Sequence, residues 1–329
     1  MFPLIAAILV ACISGFWLGT RLVSHLKGRV DPRGKSVLVT GCDTGFGHSL
    51  AGRLHSLGFM VFAGCLDSRG EGAAKLTEEA RRVEGCKKAR CKRMKVLQMD
   101  ICKDDEVNEA VKIVTSLLRK DEGLWAIVNN AGLSTFGEVE WCSLAVFKRM
   151  AEVNVWGGIR AIKAFLPLIR KAKGRIVQMT SGLGRQALAG RSCYVLTKYA
   201  MEGFSQCLRY EMRRWGVRVS IIEPGNFIAA TGIFTQERIH QIASQMWEDA
   251  SEETRQAYGK ETFDTQVERM NYYSQIGTTD PSPVIDAMVA AITDRHPRIR
   301  YEPKDWYWRL RTFIMTILPQ RIGDWLYHS

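Results

Sequence analysis

Tyr194 and Lys198 stand four residues apart in Tyr194-Val195-Leu196-Thr197-Lys198. That spacing puts both side chains on one face of a helix. An ammonium beside a phenol favours the phenolate and lowers a pKa that is normally near ~10. Such a phenol can exchange a proton with an alcohol or a carbonyl near neutrality. Taken alone, the pair is common on helix surfaces, and other residues narrow the reading. Ser181, thirteen residues earlier, ends a β-branched run, where its hydroxyl can hold a substrate oxygen. Asn154 stands in Asn154-Val155-Trp156-Gly157, midway along a long helical stretch. Asn129-Asn130-Ala131-Gly132 closes another apolar run. Arg191, three positions before Tyr194, could pair in bidentate fashion with a carboxylate. The plainer reading of Arg191 is an exposed loop arginine.

A second group of residues suits a phosphate. Thr40-Gly41-Cys42-Asp43-Thr44-Gly45-Phe46-Gly47 joins a short β-branched run to a helical stretch. Glycines there permit a tight turn and let the backbone approach a pyrophosphate at the positive end of a helix. An acidic residue at the end of the next strand would hold the adenosine ribose. Cys65 occupies the usual acidic slot, and Asp67 follows two residues later. Asp67 either binds the ribose or caps the next helix. Arg69 is the nearest base that could meet a 2′-phosphate, so the sequence favours NAD over NADP.

The elements that must position these residues follow from an alternating pattern. Buried strands read at Lys35–Thr40, Phe59–Cys65, Lys95–Asp100, Trp125–Asn130, Gly174–Thr180 and Val217–Ile222. Helical stretches lie between them, among them Asp104–Lys120, with acids first and bases last as the helix dipole favours, then Leu144–Lys171 and Tyr194–Trp215. This alternation predicts an α/β fold of the Rossmann type: a doubly wound parallel sheet with helices on both faces. Residues 226–280 are polar and read as one or two helices plus loops that cover the substrate within a catalytic domain of 35–281. Residues 282–329 read as a C-terminal amphipathic extension.

The glycine turn at 40–47, Asn129–Gly132, Asn154, Ser181, Tyr194–Lys198 and Pro224-Gly225 come in an order and spacing that resemble the short-chain dehydrogenase/reductase family. The resemblance spans roughly Lys35 to Asp280. It implies Tyr194 as general acid/base, with Lys198 lowering its pKa and holding the nicotinamide ribose. Ser181 would orient the substrate oxygen, and Asn154 would hold a water in a proton relay. It further implies cofactor contacts at Thr40, Gly41, Gly45, Phe46, Gly47, Asp67, Asp100, Asn130, Ala131, Gly132, Tyr194, Lys198, Pro224 and Gly225. The implied reaction is hydride transfer between a secondary alcohol or ketone and NAD.

Segments outside those motifs, such as FLPLIRKAKGR at Phe165–Arg175 and EPGNFIAAT at Glu223–Thr231, resemble the hydroxybutyrate dehydrogenase branch of the family. That branch has a basic residue three before the tyrosine, matched by Arg191, which gives (R)-3-hydroxybutyrate as the expected substrate. The membrane-bound retinol and hydroxysteroid dehydrogenases share some of these segments and are the alternative. Their substrates carry no carboxylate, and a buried cation would be costly in their pockets.

Composition bounds the partners. The chain has 329 residues, 46 Lys+Arg against 34 Asp+Glu, and 46% hydrophobic residues. The surplus of +12 calls for an anionic partner. The basic stretch 81–95 has no interleaved aromatics, which argues against nucleic acid. Phe2–Thr20 carries no charge, is long enough as a helix to span about 28 Å, and precedes a basic flank. Residues 1–34 therefore read as a membrane anchor. In the tail, Trp306, Trp308, Phe313 and Trp325 mix with Arg309, Arg311 and Arg321. That mixture suits either a bilayer interface or packing on the core or a partner. The resemblance points to a mitochondrial membrane, the apolar start to the endoplasmic reticulum. Homo-oligomers are implied by the resemblance. Nine cysteines show no zinc-site spacing, and no metal is expected.

Overall fold

A computed structural model describes residues 28–84 and 93–327. The apolar segment 2–20 and residues 85–92 of the basic stretch lie outside the described residues. The described chain builds one sheet of seven strands: β1 (Ser36–Thr40), β2 (Met60–Cys65), β3 (Met94–Gln98), β4 (Ala126–Asn129), β5 (Arg175–Met179), β6 (Arg218–Ile222) and β7 (Arg300–Tyr301). All pair in parallel, in the order β3-β2-β1-β4-β5-β6-β7. The register sets Asn129 beside Gln178, and Met179 beside Ile222, which in turn lies beside Tyr301. The C-terminal ends of the strands therefore line up along one end of the sheet.

Strand residues alternate between two apolar layers, as a period of two requires. Val37, Val39, Val61, Ala126 and Val177 meet α1 (Gly45–Leu57), α2 (Glu71–Glu84) and α10 (Ser282–Thr293). Leu38, Phe62, Ile127 and Ile176 meet α3 (Asp104–Leu117), α5 (Gly158–Lys171) and α6 (Ser192–Met212) on the other face. The six strands read in the sequence are present. The seventh was hidden because it is two residues long and its pairing partner is remote. Asp104, Asp105 and Glu106 open α3 as expected, but the helix stops at Leu117, so Arg119 and Lys120 lie beyond its last turn.

Residues 226–280 form three helices, not one or two: α7 (Gln236–Asp249), α8 (Glu252–Tyr258) and α9 (Lys260–Gln275). Their apolar faces pack with Phe136, Trp141 and Cys193 into a third cluster, which roofs the polar strand ends. After residue 281 the chain first enters the main core, because Val284, Met288 and Ile292 of α10 are buried beneath the sheet. Then α11 (Trp306–Ile317) and α12 (Gln320–Tyr327) form a surface pair. Trp306 is 75% exposed and Trp325 71%, while Arg311 and Thr312 turn inward. Among the described residues, no helix is long and apolar enough to cross a membrane. No cluster of metal-ligating side chains occurs among them either.

Candidate active site

The first turn of α6 presents Tyr194, and the next turn presents Lys198, as their spacing requires. Lys198 is buried, donates to the Met179 carbonyl at 3.4 Å, and holds its ammonium 5.4 Å from the Tyr194 ring centre. Ser181 stands two residues past the end of β5. Its hydroxyl accepts the Leu183 amide at 3.2 Å and opens a 3₁₀ turn over Gly182–Gly184.

Asn154 reaches the same place through a local distortion. Between α4 (Leu144–Ala151) and α5, residues Glu152–Gly157 form a π-helical turn. Close packing accounts for it. A Cβ on Gly157 would lie 2.8 Å from Ile101, and one on Gly158 would lie 2.5 Å from the Asn129 side chain. With glycine at both positions the helix can press onto the end of β4, and the wide turn aims Asn154 at the loop beyond. Its Nδ2 donates to the Leu133 carbonyl at 2.9 Å and to Thr197 Oγ1 at 3.0 Å, and its Oδ1 accepts the Leu133 amide at 2.7 Å. Thr197 then donates to the Tyr194 carbonyl at 2.8 Å. Leu133 and Thr197 are partners the sequence did not reveal, since only the folded chain brings them to Asn154.

Arg191 departs from the plainer sequence reading: it is half-buried under the helical roof. Its Nη2 donates to Ser134 Oγ at 2.9 Å, its Nη1 faces the Met270 sulfur at 3.5 Å, and its buried Nε has no hydrogen-bond partner. The guanidinium carbon lies 5.4 Å from the Tyr194 ring centre and 5.2 Å from that of Phe234. Burial holds its pKa below the ordinary arginine value, and Tyr194 offsets only part of that. Among the described residues, no carboxylate forms an ion pair with it. A half-buried guanidinium with no carboxylate partner among the described residues, 5.4 Å from the Tyr194 ring centre, has the chemistry to pair with an anion.

The glycine turn lies at the ends of β1 and β4. Gly41 and Gly45 have φ of +69° and +59°, values that side chains rarely tolerate. A Cβ on Gly47 would meet the Gly41 carbonyl oxygen at 2.1 Å. Thr44 makes no side-chain cap on α1, so the amides of that first turn are left to a ligand. This fits a pyrophosphate. Thr40 acts from within: its hydroxyl accepts the amides of Asn130 and Ala131 at 3.1 and 3.0 Å. Asn130 in turn donates to the Thr40 and Gly41 carbonyls. Gly132 sits against Asn154 Oδ1, and the Phe46 ring stands edge-on to Phe227 at 6.1 Å. The Pro224-Gly225 turn is fixed by the Gly225 amide donating to the Pro303 carbonyl at 3.1 Å.

At the end of β2, where the sequence expects the adenosine ribose, Asp43 is a residue whose part the sequence did not reveal. Its carboxylate accepts the amides of Leu66 and Asp67 at 2.9 and 3.1 Å and pins the end of β2. Asp67 is exposed, with Oδ1 accepting the Arg69 amide at 2.9 Å. Asp100 Oδ1 accepts the Cys102 amide at 2.9 Å. Burial, reinforced by Asp43 and Asp67, pushes the Cys65 thiol up to about 12, so this slot stays uncharged.

Comparison with known proteins agrees with this geometry. The sequence profile of the family described as short chain dehydrogenase matches residues 35–241. The chain is 50% identical over 303 residues to the mitochondrial D-beta-hydroxybutyrate dehydrogenase of Bos taurus, covering 91% of this chain and 85% of that one. It is 33% identical over 309 residues to retinol dehydrogenase 7 of Mus musculus, covering 94% and 90%. A short chain dehydrogenase/reductase of Burkholderia phymatum, solved in complex with NAD, shares the fold with a TM-score of 0.68 at 18% identity, over 87% of this chain and 95% of that one. A profile match over most of the chain, and half-identity across nine-tenths of it, lead to one conclusion: the chain belongs to the short-chain dehydrogenase/reductase family.

Proposed function

We propose that this protein is an NAD-dependent dehydrogenase that interconverts (R)-3-hydroxybutyrate and acetoacetate. The observation that carries the substrate is Arg191. Its half-buried guanidinium beside Tyr194, with no carboxylate partner among the described residues, matches a short hydroxy acid whose carboxylate lies a few bonds from the reacting carbon. Half-identity to a D-beta-hydroxybutyrate dehydrogenase supports the same substrate. A retinoid or steroid would leave that cation unpaired in an apolar pocket.

The residues then divide the work. Arg191 holds the substrate carboxylate and so fixes the distance to its C3 oxygen. Ser181 and Tyr194 meet that oxygen. On oxidation Tyr194 Oη takes the hydroxyl proton, and on reduction it returns it. Lys198, held by the Met179 carbonyl, keeps a positive charge close to the Tyr194 ring. Asn154 locks the loop after β4 to α6, so that the two sides of the site keep their spacing. The dinucleotide would lie on the glycine turn and along Asn130–Gly132 and Pro224-Gly225, near Asp67 and Asp100. Its nicotinamide supplies the hydride acceptor. The paired acids Asp43 and Asp67 and the neutral Cys65 thiol favour NAD, because a 2′-phosphate there would meet negative charge.

Association with a mitochondrial membrane belongs to the same proposal. It is supported by the names of the close relatives and by the exposed aromatic face of α11 and α12. Gly28 and Arg29 line one groove with Pro303 and Arg309, so the chain enters the described fold beside that face. Exposed Trp156, Leu196 and Tyr199 on the helices flanking the site support a homo-oligomer. The test is NADH production by the purified protein offered (R)-3-hydroxybutyrate, its (S) enantiomer, retinol and estradiol in parallel, with and without phospholipid. Turnover confined to the (R) acid is expected. Turnover of retinol or estradiol in its place would refute the substrate.

A further inference from the structure

Behind Ser181 lies a buried ion cluster with no part in the proton chemistry above. The side chains of Glu223, just past β6, and Lys304, just past β7, are both 0% exposed. Lys304 Nζ donates to Glu223 Oε2 at 3.0 Å and to Glu302 Oε1 at 3.2 Å. Arg300 meets Glu223 and, at 2.7 Å, Glu202. Glu202 accepts the hydroxyl of Thr180, the neighbour of Ser181, at 2.7 Å. Arg185, in the loop after Ser181, lies 3.6 Å from Glu302 and 3.8 Å from Glu223. The three acids and three bases cancel.

The cluster touches the site through backbone. The Gly182 amide donates to the Pro224 carbonyl at 2.9 Å, which joins the residue after Ser181 to the cofactor-facing turn. The Lys304 side chain fills the space beside both. A Cβ on Gly182 would lie 3.4 Å from Lys304 Cε, and one on Gly225 would lie 3.4 Å from Lys304 Cα and Cγ. Further along, Gln186 donates to Thr312 of α11 at 3.4 Å. Stability alone gives no reason for such a cluster, because apolar replacements of buried ion pairs are often neutral or stabilising. Placement of the adjoining residues does give one.

We propose that Lys304 is a positioning residue: through Glu223, Gly182 and Gly225 it fixes the shelf on which the Ser181 hydroxyl and the Pro224-Gly225 turn meet their ligands. This rests on the roles given above to Ser181 and Tyr194. The test uses Lys304→Met and the charge-balanced double variant Glu223→Gln/Lys304→Met in the full chain. Turnover is counted per NADH-binding site, together with the isotope effect for 3-hydroxybutyrate deuterated at C3 and hydrogen exchange over residues 181–188. A misplacement of about 1 Å costs about 100-fold in rate, so turnover per site should fall between 10- and 100-fold. The isotope effect should rise as chemistry becomes limiting, and exchange should quicken at 181–188 but not at 60–65. Wild-type turnover per site with an unchanged isotope effect would overturn the proposal, even if the melting temperature fell. If the single variant does not fold, the double variant decides. If the wild-type protein leaves 3-hydroxybutyrate untouched, the substrate reading fails separately. Exchange at 181–188 in the NADH-bound protein then decides, and no change there overturns the positioning role.

Discussion

Replacing Arg191 with Leu separates substrate recognition from the rest of the site. In the structure the guanidinium has one firm acceptor, Ser134 Oγ, and one weak one, the Met270 sulfur. Each Nη spends only one of its two hydrogens on these partners, which leaves capacity for a carboxylate. Two charge-assisted hydrogen bonds at about 1.5 kcal/mol each give about 3 kcal/mol. At 1.4 kcal/mol per decade that is roughly a 100-fold loss in kcat/KM for 3-hydroxybutyrate. NADH affinity, read by quenching of protein fluorescence, should stay within about twofold, because the glycine turn and Asn130–Gly132 are built on other elements. A neutral substrate such as the methyl ester of 3-hydroxybutyrate should lose little, so the preference for acid over ester should collapse. The empty protein should not be weakened, since the variant removes a half-buried cation that has no carboxylate partner among the described residues. Equal losses for acid and ester, or no loss for either, would refute the anchor. A parallel loss of NADH binding would show instead that Arg191 supports the fold of the site.

Four further outcomes follow from the same geometry. Tyr194→Phe should cut turnover at least about 1000-fold while NADH binding, measured by titration, remains. Gly47→Ala places a methyl 2.1 Å from the Gly41 carbonyl, so NADH binding should be lost or the melting temperature should drop by several degrees; wild-type binding would contradict the tight turn. The Cys65 thiol is held up at about 12 against 9.0 unfolded, so the folded protein binds the extra proton and stability must fall as pH rises from about 9 to 12. In Cys65→Ala that slope, measured by urea midpoints, should flatten by up to about 1.4 kcal/mol per pH unit. Trp306→Ser/Trp325→Ser should reduce co-sedimentation with phospholipid vesicles several-fold without altering NADH affinity; unchanged sedimentation would remove these tryptophans from the lipid contact.

What the sequence disclosed was whatever repeats locally. Six strands announced themselves through β-branched runs, and Tyr194 and Lys198 through one helical turn. The Thr40–Gly47 turn was readable because it joins a strand to a helix. Other features depend on residues far apart in the chain. The π-helical turn around Asn154 arises where Gly157 and Gly158 press on Ile101 and Asn129, and no local pattern records that contact. Arg191 is half-buried because Phe234 and, from α9, Met270 fold back against it, so its own segment reads like any polar loop. Asp43 sits inside the glycine motif, yet its partners are amides at the end of β2. Glu223 and Lys304 are 81 residues apart, and Lys304 lies in a segment that reads as an extension.

The late position of β7 also bears on how the protein is made. Its two residues cover the outer edge of β6: the Ile221 amide donates to the Ile299 carbonyl, and the Glu223 amide to the Tyr301 carbonyl. Until these residues leave the ribosome, a growing chain carries an open parallel edge and, in Glu223, a carboxylate destined for the interior without Arg300 and Lys304. Open edges of this kind invite pairing with other chains. A fragment cut before residue 300 would therefore keep that edge uncovered, so the two residues that complete the sheet are also the ones that protect it from other chains.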